Sequence, residues 1–188
     1  MATPIRVLAF SGSARRESLN KKLLAVAVAA VRAAGGEVTL VDLTDLPLPV
    51  YNGDLEDKDG LPANAVKLIE LIQQHPALLI ASPEYNSTNT PLLKNTIDWC
   101  TRGEGNPFTG KVAAVVSASP GQFGGVRSMK LAQQLLLHLG CHVVPAQCFL
   151  PKAHEAFDEH GALKEARNQK SVETLAAQLV SLTTRLGP

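Results

Sequence analysis

The sequence is poor in the residues that mark several function classes. It holds three cysteines, Cys100, Cys141 and Cys148, among 188 residues. Their number is odd, no two form a C-x-x-C pair, and their spacing fits no zinc pattern. Neither a disulfide framework nor a structural zinc site is expected, and the three read as buried thiols of a reducing compartment. Aromatic residues make up only 4% of the chain. The net charge is +1, with no basic cluster, which argues against nucleic acid as the main partner, because a phosphate backbone calls for a clear basic excess. No apolar run reaches the roughly 18 residues of a membrane span. The opening residues show no charged region followed by a long apolar stretch and a cleavage site. The expectation is a cytoplasmic protein with no membrane partner. Two familiar phosphate motifs are missing as well. There is no Gly-x-x-x-x-Gly-Lys-Ser/Thr loop, and Gly12 stands alone where the dinucleotide fingerprint needs three glycines.

What is present is ordinary for a globular protein, with 45% hydrophobic and 19% charged residues. A chain of this size buries roughly 70% of its unfolded surface, so one domain over residues 1–188 is expected. The most informative stretch is residues 11–20, Ser-Gly-Ser-Ala-Arg-Arg-Glu-Ser-Leu-Asn. It lies between an apolar strand at 5–10 and a helix starting near Ser18. A strand that turns into a helix through Gly and Ser aims several N–H groups and the positive end of the helix dipole at one spot. Ser11, Ser13, Ser18 and Asn20 can add side-chain donors there, and Arg15 or Arg16 a bidentate fork. That set suits a phosphate.

Strand and helix alternate along the rest. Leu19, Leu23, Val26, Ala27, Ala30, Val31 and Ala34 form an amphipathic stripe, Gly35-Gly36 a stop, and residues 37–42 a second strand. Residues 44–62, with three prolines and two glycines, read as a long loop without regular structure. Pro62 to Gln74 reads as a helix burying Val66, Leu68, Ile69 and Ile72. Ala77–Ala81 and Val112–Val116 are continuous apolar runs, the mark of central parallel strands covered on both faces. A helix opens with Thr90 as cap and Pro91 at its first position and runs to about Arg102. Another spans Val126 to Leu139, a last strand starts at His142–Val144, and a closing helix covers Ala162 to Arg185. This is the pattern of an α/β doubly wound sheet of five parallel strands with helices on both faces. The loops at 11–18, 82–90 and 117–125 each follow a strand, so all three open on the edge where such sheets bind ligands. Three glycines in the third let backbone approach a flat ligand.

The three loops also carry a resemblance. Gly12-Ser13-Ala14-Arg15-Arg16-Glu17-Ser18-Leu19-Asn20 is similar to a Gly-Ser-x-Arg-x-x-Ser-x-Asn phosphate loop. Pro83-Glu84-Tyr85-Asn86 followed by Leu93-Lys94-Asn95-Thr96-Ile97-Asp98-Trp99 is similar to a Pro-Glu-Tyr-Asn and Leu-Lys-Asn-x-Ile-Asp-Trp signature, and Gly124-Gly125 follows the fourth strand. Together these resemble the NAD(P)H-dependent FMN reductases of the flavodoxin-like fold, which include quinone, azo-dye and chromate reductases. One departure is that Pro91 lies five residues after Asn86, where the family commonly has its Pro at four. The resemblance implies FMN as cofactor and NADPH or NADH as reductant. It puts Ser11, Ser13, Arg15, Ser18, Leu19 and Asn20 around the FMN phosphate. It runs Pro83, Glu84, Tyr85, Asn86 and Ser87 along the isoalloxazine, with Ser117, Gly121, Gln122 and Gly124 on the other side. It implies a small-molecule electron acceptor, ping-pong turnover and no catalytic side chain, because the flavin carries the chemistry. It also implies a homodimer or homotetramer paired through helix 91–102, whose Leu92, Leu93, Ile97, Trp99 and Cys100 exceed one buried stripe, with Trp99 at or near the interface. The competing reading is a flavin-binding electron carrier or redox sensor.

Overall fold

The structure, a computed structural model, describes residues 4–187; residues 1–3 and 188, the ends of the expected domain, lie outside the described residues. The strands are β1 (Ile5–Ser11), β2 (Gly36–Val41), β3 (Ala77–Ala81), β4 (Glu84–Tyr85), β5 (Thr88–Asn89), β6 (Val112–Ala118), β7 (His142–Val143) and β8 (Cys148–Leu150). The helices are α1 (Leu19–Ala33), α2 (Gly53–Asp59), α3 (Ala63–Gln74), α4 (Pro91–Cys100), α5 (Val126–His138) and α6 (Ala166–Leu186).

The main sheet is parallel, in the order β2-β1-β3-β6-β7. Its central strands are largely apolar because both faces are covered. Successive side chains point to opposite faces. Val7, Ala9, Leu79, Ala114 and Val116 pack with α1 and α6, while Leu8, Phe10, Leu78, Ile80 and Val115 pack with α3, α4 and α5. Ser18 caps α1 by accepting the Lys21 N–H at 3.3 Å. Thr90 caps α4 in the same way through Leu93, with Pro91 at the first position.

Four expectations need correction. The fifth strand position is filled by two short strands rather than one. β7 pairs with the start of β6 and β8 with its end. Pro145 interrupts the ladder between them because it has no N–H to donate, and three residues of β8 are too few to show a period. Residues 44–62 are not structureless. A 3-10 turn covers Leu43–Asp45, and α2 starts where Asn52 accepts the Asp54 N–H at 3.0 Å. So short a helix depends on its cap and its tertiary contacts, which leave no periodic signature. In α3, Val66 is exposed and Ala65 is buried instead. The closing helix begins at Ala166, after a run of turns.

All three cysteines are buried, on both sides of the sheet. Burial pushes the Cys100, Cys141 and Cys148 thiols up to about 12. The native state therefore keeps protons that the unfolded chain releases near ~8.5. This contribution to stability is whole below that pH and is lost as pH rises toward about 12. Dithiobisnitrobenzoate at pH 8 should label no cysteine in the native protein and all three in urea. Rapid native labelling would show that a thiol is accessible.

Candidate functional site

β1 lies between β2 and β3, so the chain leaves β1 first to one side and later returns on the other. The strand order reverses there, and the crevice at the C-terminal ends of β1 and β3 is where such sheets take ligands. The three loops are stitched together along this edge. Gly12 N–H donates to Ala81 O at 2.9 Å, Ser82 N–H to Val116 O at 2.9 Å and Ser119 N–H to Leu150 O at 3.1 Å.

The first loop has donors to spare. The backbone N–H groups of Ser13, Ala14, Arg16, Glu17, Ser18, Leu19 and Asn20 find no acceptor among the described residues. The Ser11 hydroxyl is buried and also without a partner. A buried unmade hydrogen bond costs about 1–3 kcal/mol, and an acceptor oxygen at the loop relieves it. Arg15 and Arg16 are exposed and join no ion pair among the described residues. Ser13 Oγ accepts the Arg15 N–H at 3.3 Å, which shapes the turn. Gly12 is required by packing, since a Cβ there would lie 2.7 Å from Leu93 Cβ. Thr90 Oγ1 donates to Gly12 O at 2.6 Å and pins α4 to the loop. This cradle fits a phosphate monoester. Asn20 plays another part than expected. Its amide gives Nδ2 to Ala118 O at 2.7 Å and accepts Ala118 N–H at 2.9 Å. It clamps α1 to the end of β6, and its backbone N–H, in the first turn of α1, has no acceptor among the described residues.

The second loop is a two-residue hairpin of β4 and β5. Asn86 and Ser87 sit at its tip with φ of 50° and 67°, the two left-handed positions a type I′ turn demands. Each non-glycine residue there costs roughly 1–2 kcal/mol. The structure over-determines the hairpin from below. Asn89 Nδ2 donates to Ser82 Oγ at 2.9 Å and to Ser128 O at 2.8 Å, and Ser128 Oγ donates to Pro83 O at 2.7 Å. Tyr85 is half exposed. The Glu84 side chain turns to α5, where its carboxylate receives Arg127 Nε at 2.9 Å and the N–H groups of Arg127 and Ser128 at 3.2 and 3.3 Å. It supplies the cap that α5 lacks, because Gly125 stands at the N-cap position. Burial alone would raise the Glu84 carboxyl, but the Arg127 fork and the two N–H groups outweigh it and hold the carboxyl below the usual range.

The third loop departs most from expectation. Ser117 is fully buried, and its hydroxyl donates to Ser82 O at 2.7 Å, so it holds strand ends together rather than lining the crevice. Gly124 and Gly125 likewise serve packing. A Cβ on Gly125 would lie 2.0 Å from Ser117 Oγ, and one on Gly124 2.6 Å from Pro151 N. Gly121, Gln122 and Phe123 are exposed. The Arg127 guanidinium lies over the Phe123 ring at 5.1 Å, which links this loop to Glu84. Arg127 escaped the sequence reading. A cation in the first turn of a helix opposes the dipole, and that was a readable hint of a carboxylate partner.

The Leu-Lys-Asn-x-Ile-Asp-Trp stretch also receives a structural explanation. Asn95 accepts the Tyr51 N–H at 2.8 Å and donates to Pro49 O at 2.8 Å. Trp99 Nε1 donates to the same carbonyl at 2.8 Å, and the Tyr51 ring meets the indole edge-on at 5.1 Å. Arg102 and the Tyr51 hydroxyl both hold Glu56, at 3.0 and 2.9 Å. The segment between β2 and α3 thus covers the surplus apolar face of α4. Trp99 is fully buried within its own chain, so its side chain belongs to the core and offers no contact surface of its own.

A family model described as NADPH-dependent FMN reductase matches residues 5–155. The chain belongs to the NADPH-dependent FMN reductase family. It is 37% identical over 183 residues to an NAD(P)H-dependent FMN reductase of Pseudomonas aeruginosa, covering 97% of this chain and 95% of that one. It is 32% identical over 187 residues to an NADPH:quinone oxidoreductase of Arabidopsis thaliana, covering 97% and 93%. Among solved structures, FerB, a flavoenzyme NAD(P)H:(acceptor) oxidoreductase from Paracoccus denitrificans, superposes with a TM-score of 0.82 at 29% identity, over 98% of this chain and all of that one. An archaeal flavodoxin superposes at 0.62 with 10% identity over 96% and 99% of the two chains, a likeness of fold alone. The protein is therefore an oxidoreductase of flavodoxin-like fold, with FMN as cofactor and NAD(P)H as reductant.

In this reductase the Glu84–Arg127 pair bridges the second loop to the α5 terminus beside the third. The depressed Glu84 carboxyl adds stability that is present above ~4.3 and is lost as pH falls. Glu84→Gln should lower the thermal midpoint at pH 7 by the equivalent of about 1 kcal/mol, a modest figure because Arg127 is half exposed. The gap between wild type and variant should narrow at pH 4. A gap independent of pH would show that the carboxylate charge contributes nothing.

Proposed function

We propose that this family member takes a hydride from NADPH or NADH and passes it to a small-molecule acceptor, such as a quinone, azo dye, chromate or free flavin, in ping-pong order. The observation that carries the reading is the first loop, whose uncommitted N–H groups and orphaned Ser11 hydroxyl adjoin a hairpin held rigid from beneath. Bound FMN supplies the hydride chemistry, and the protein supplies binding, orientation and electrostatics. Ser11, Ser13, Arg15 and Ser18, with the first-turn N–H groups of Leu19 and Asn20, hold the phosphate. A loop that closes on a terminal phosphate favours FMN over FAD. The Pro83–Ser87 backbone borders the ring, with Gly121 and Gln122 opposite, while Asn20, Glu84, Ser117 and Gly124 act as positioning residues. Tyr85 and Phe123 stand exposed on the two loops and leave an aperture that nicotinamide and acceptor occupy in turn.

The homodimer or homotetramer implied by the resemblance, and a cytoplasmic location, belong to this proposal. With Trp99 internal, pairing through helix 91–102 would use the exposed positions of that helix rather than the indole. Among the described residues no helix is long and apolar enough to cross a membrane.

Arg15→Ala should weaken FMN binding by roughly 1.5–3 kcal/mol, the scale of a hydrogen bond to a charged group. Unchanged affinity in a fluorescence titration removes Arg15 from the site. Double-reciprocal plots of quinone reduction at several NADPH concentrations should be parallel. Intersecting lines would place both substrates on the protein together. A flavin that anaerobic NADPH does not bleach would leave an electron carrier.

A further inference from the structure

A concavity opens beside the third loop. It has a volume of about 600 Å³ and lies between β8, the turns after it and the start of α6, within the ~300–1,000 Å³ of small-ligand sites. It abuts the flavin loop directly. Gln122 lines it, and Lys152 N–H donates to Gly121 O at 3.2 Å. Its chemistry is unlike that of an ordinary polar surface in two respects. First, Lys152, Lys164 and Arg167 all line it and join no ion pair among the described residues. Two carboxylates are also present. Glu155 lies 3.1 Å from His154 Nε2, and Glu165 receives Asn168 Nδ2 at 3.4 Å. The three cations are left uncommitted, and the first turn of α6 contains no acidic residue to offset them. Second, β8 turns Cys148 and Leu150 inward and presents Phe149 outward, 39% exposed, on the cavity wall. An exposed ring offers a stacking face to a flat base, and amides from Gln122 and Asn168 lie nearby.

We infer that this cavity holds the adenosine 2′-phosphate half of NADPH, with Phe149 under the adenine and Lys152, Lys164 and Arg167 on the phosphate. The inference rests on the reductase reading above, which puts the nicotinamide half at the aperture bordered by the same loop. A phosphate monoester on three cations gains charge-assisted hydrogen bonds that NADH, with a free 2′-hydroxyl, does not make. The site therefore selects NADPH over NADH.

The test uses FMN-loaded protein and the double variant Lys164→Gln/Arg167→Gln, two exposed positions outside the FMN cradle. Calorimetric titration should show 2′,5′-ADP binding to wild type more tightly than 5′-AMP or inorganic phosphate. The variant should bind 2′,5′-ADP roughly 10–100-fold more weakly. In turnover, KM for NADPH should rise by a similar factor, while KM for NADH, kcat and FMN affinity stay put. If 2′,5′-ADP binds no better than 5′-AMP, or the variant binds it as wild type does, the site is overturned, and continued NADPH oxidation leaves the reductase reading intact. If 2′,5′-ADP binds and the variant loses it while wild type oxidises neither nucleotide, the site stands and the reductase reading falls.

Discussion

The site depends on hydrogen bonds that close the C-terminal edge of the sheet. β1, β3 and β6 are covered on both faces up to their ends, so the backbone groups just past those ends are largely buried and need partners. Three N–H to carbonyl bonds carry the ladder past the strand ends. Asn20 on Ala118, Thr90 on Gly12 and Ser117 on Ser82 close the rest from side chains. Each such bond is worth only about 1 kcal/mol net, but a buried group left unmet costs more. Apart from the first loop, the edge is therefore satisfied as a unit, and the loops have little freedom to move apart.

That arrangement divides the polar residues of the loops into two sets. Asn20, Glu84, Asn89, Ser117 and Ser128 spend their side chains on the protein. Ser11 and a row of N–H groups in the first loop remain unspent. Strain lies at the hairpin tip, in Asn86 and Ser87, which is where backbone strain tends to be stored when surrounding structure fixes it. The excursion from β2 to α3 extends the same logic outward. It folds into a 3-10 turn and the short α2 and is held to the body by Asn95, Trp99 and Arg102 of the α4 region.

Sequence by itself determined the central strands of the sheet, because a short continuous apolar run bounded by prolines, such as Ala77–Ala81, reads as a strand buried on both faces. It determined the cap at Thr90, which depends on a neighbour three residues away, and the position of the three loops on one edge, which follows from strand direction. It also carried the family, since the motifs are contiguous in the chain. Tertiary structure alone decided which loop residues face the crevice. Asn20 meets Ala118 across 98 residues, and Trp99 meets Pro49 across 50. A Ser or Asn looks the same in sequence whether it points at a ligand or at a strand end. Two glycines that suggested a flat ligand instead make room for Ser117 and Pro151. The cationic cavity was out of reach for the same reason. Phe149, Lys152, Lys164 and Arg167 belong to separate elements, and only the packing of α6 against β8 brings them to one wall.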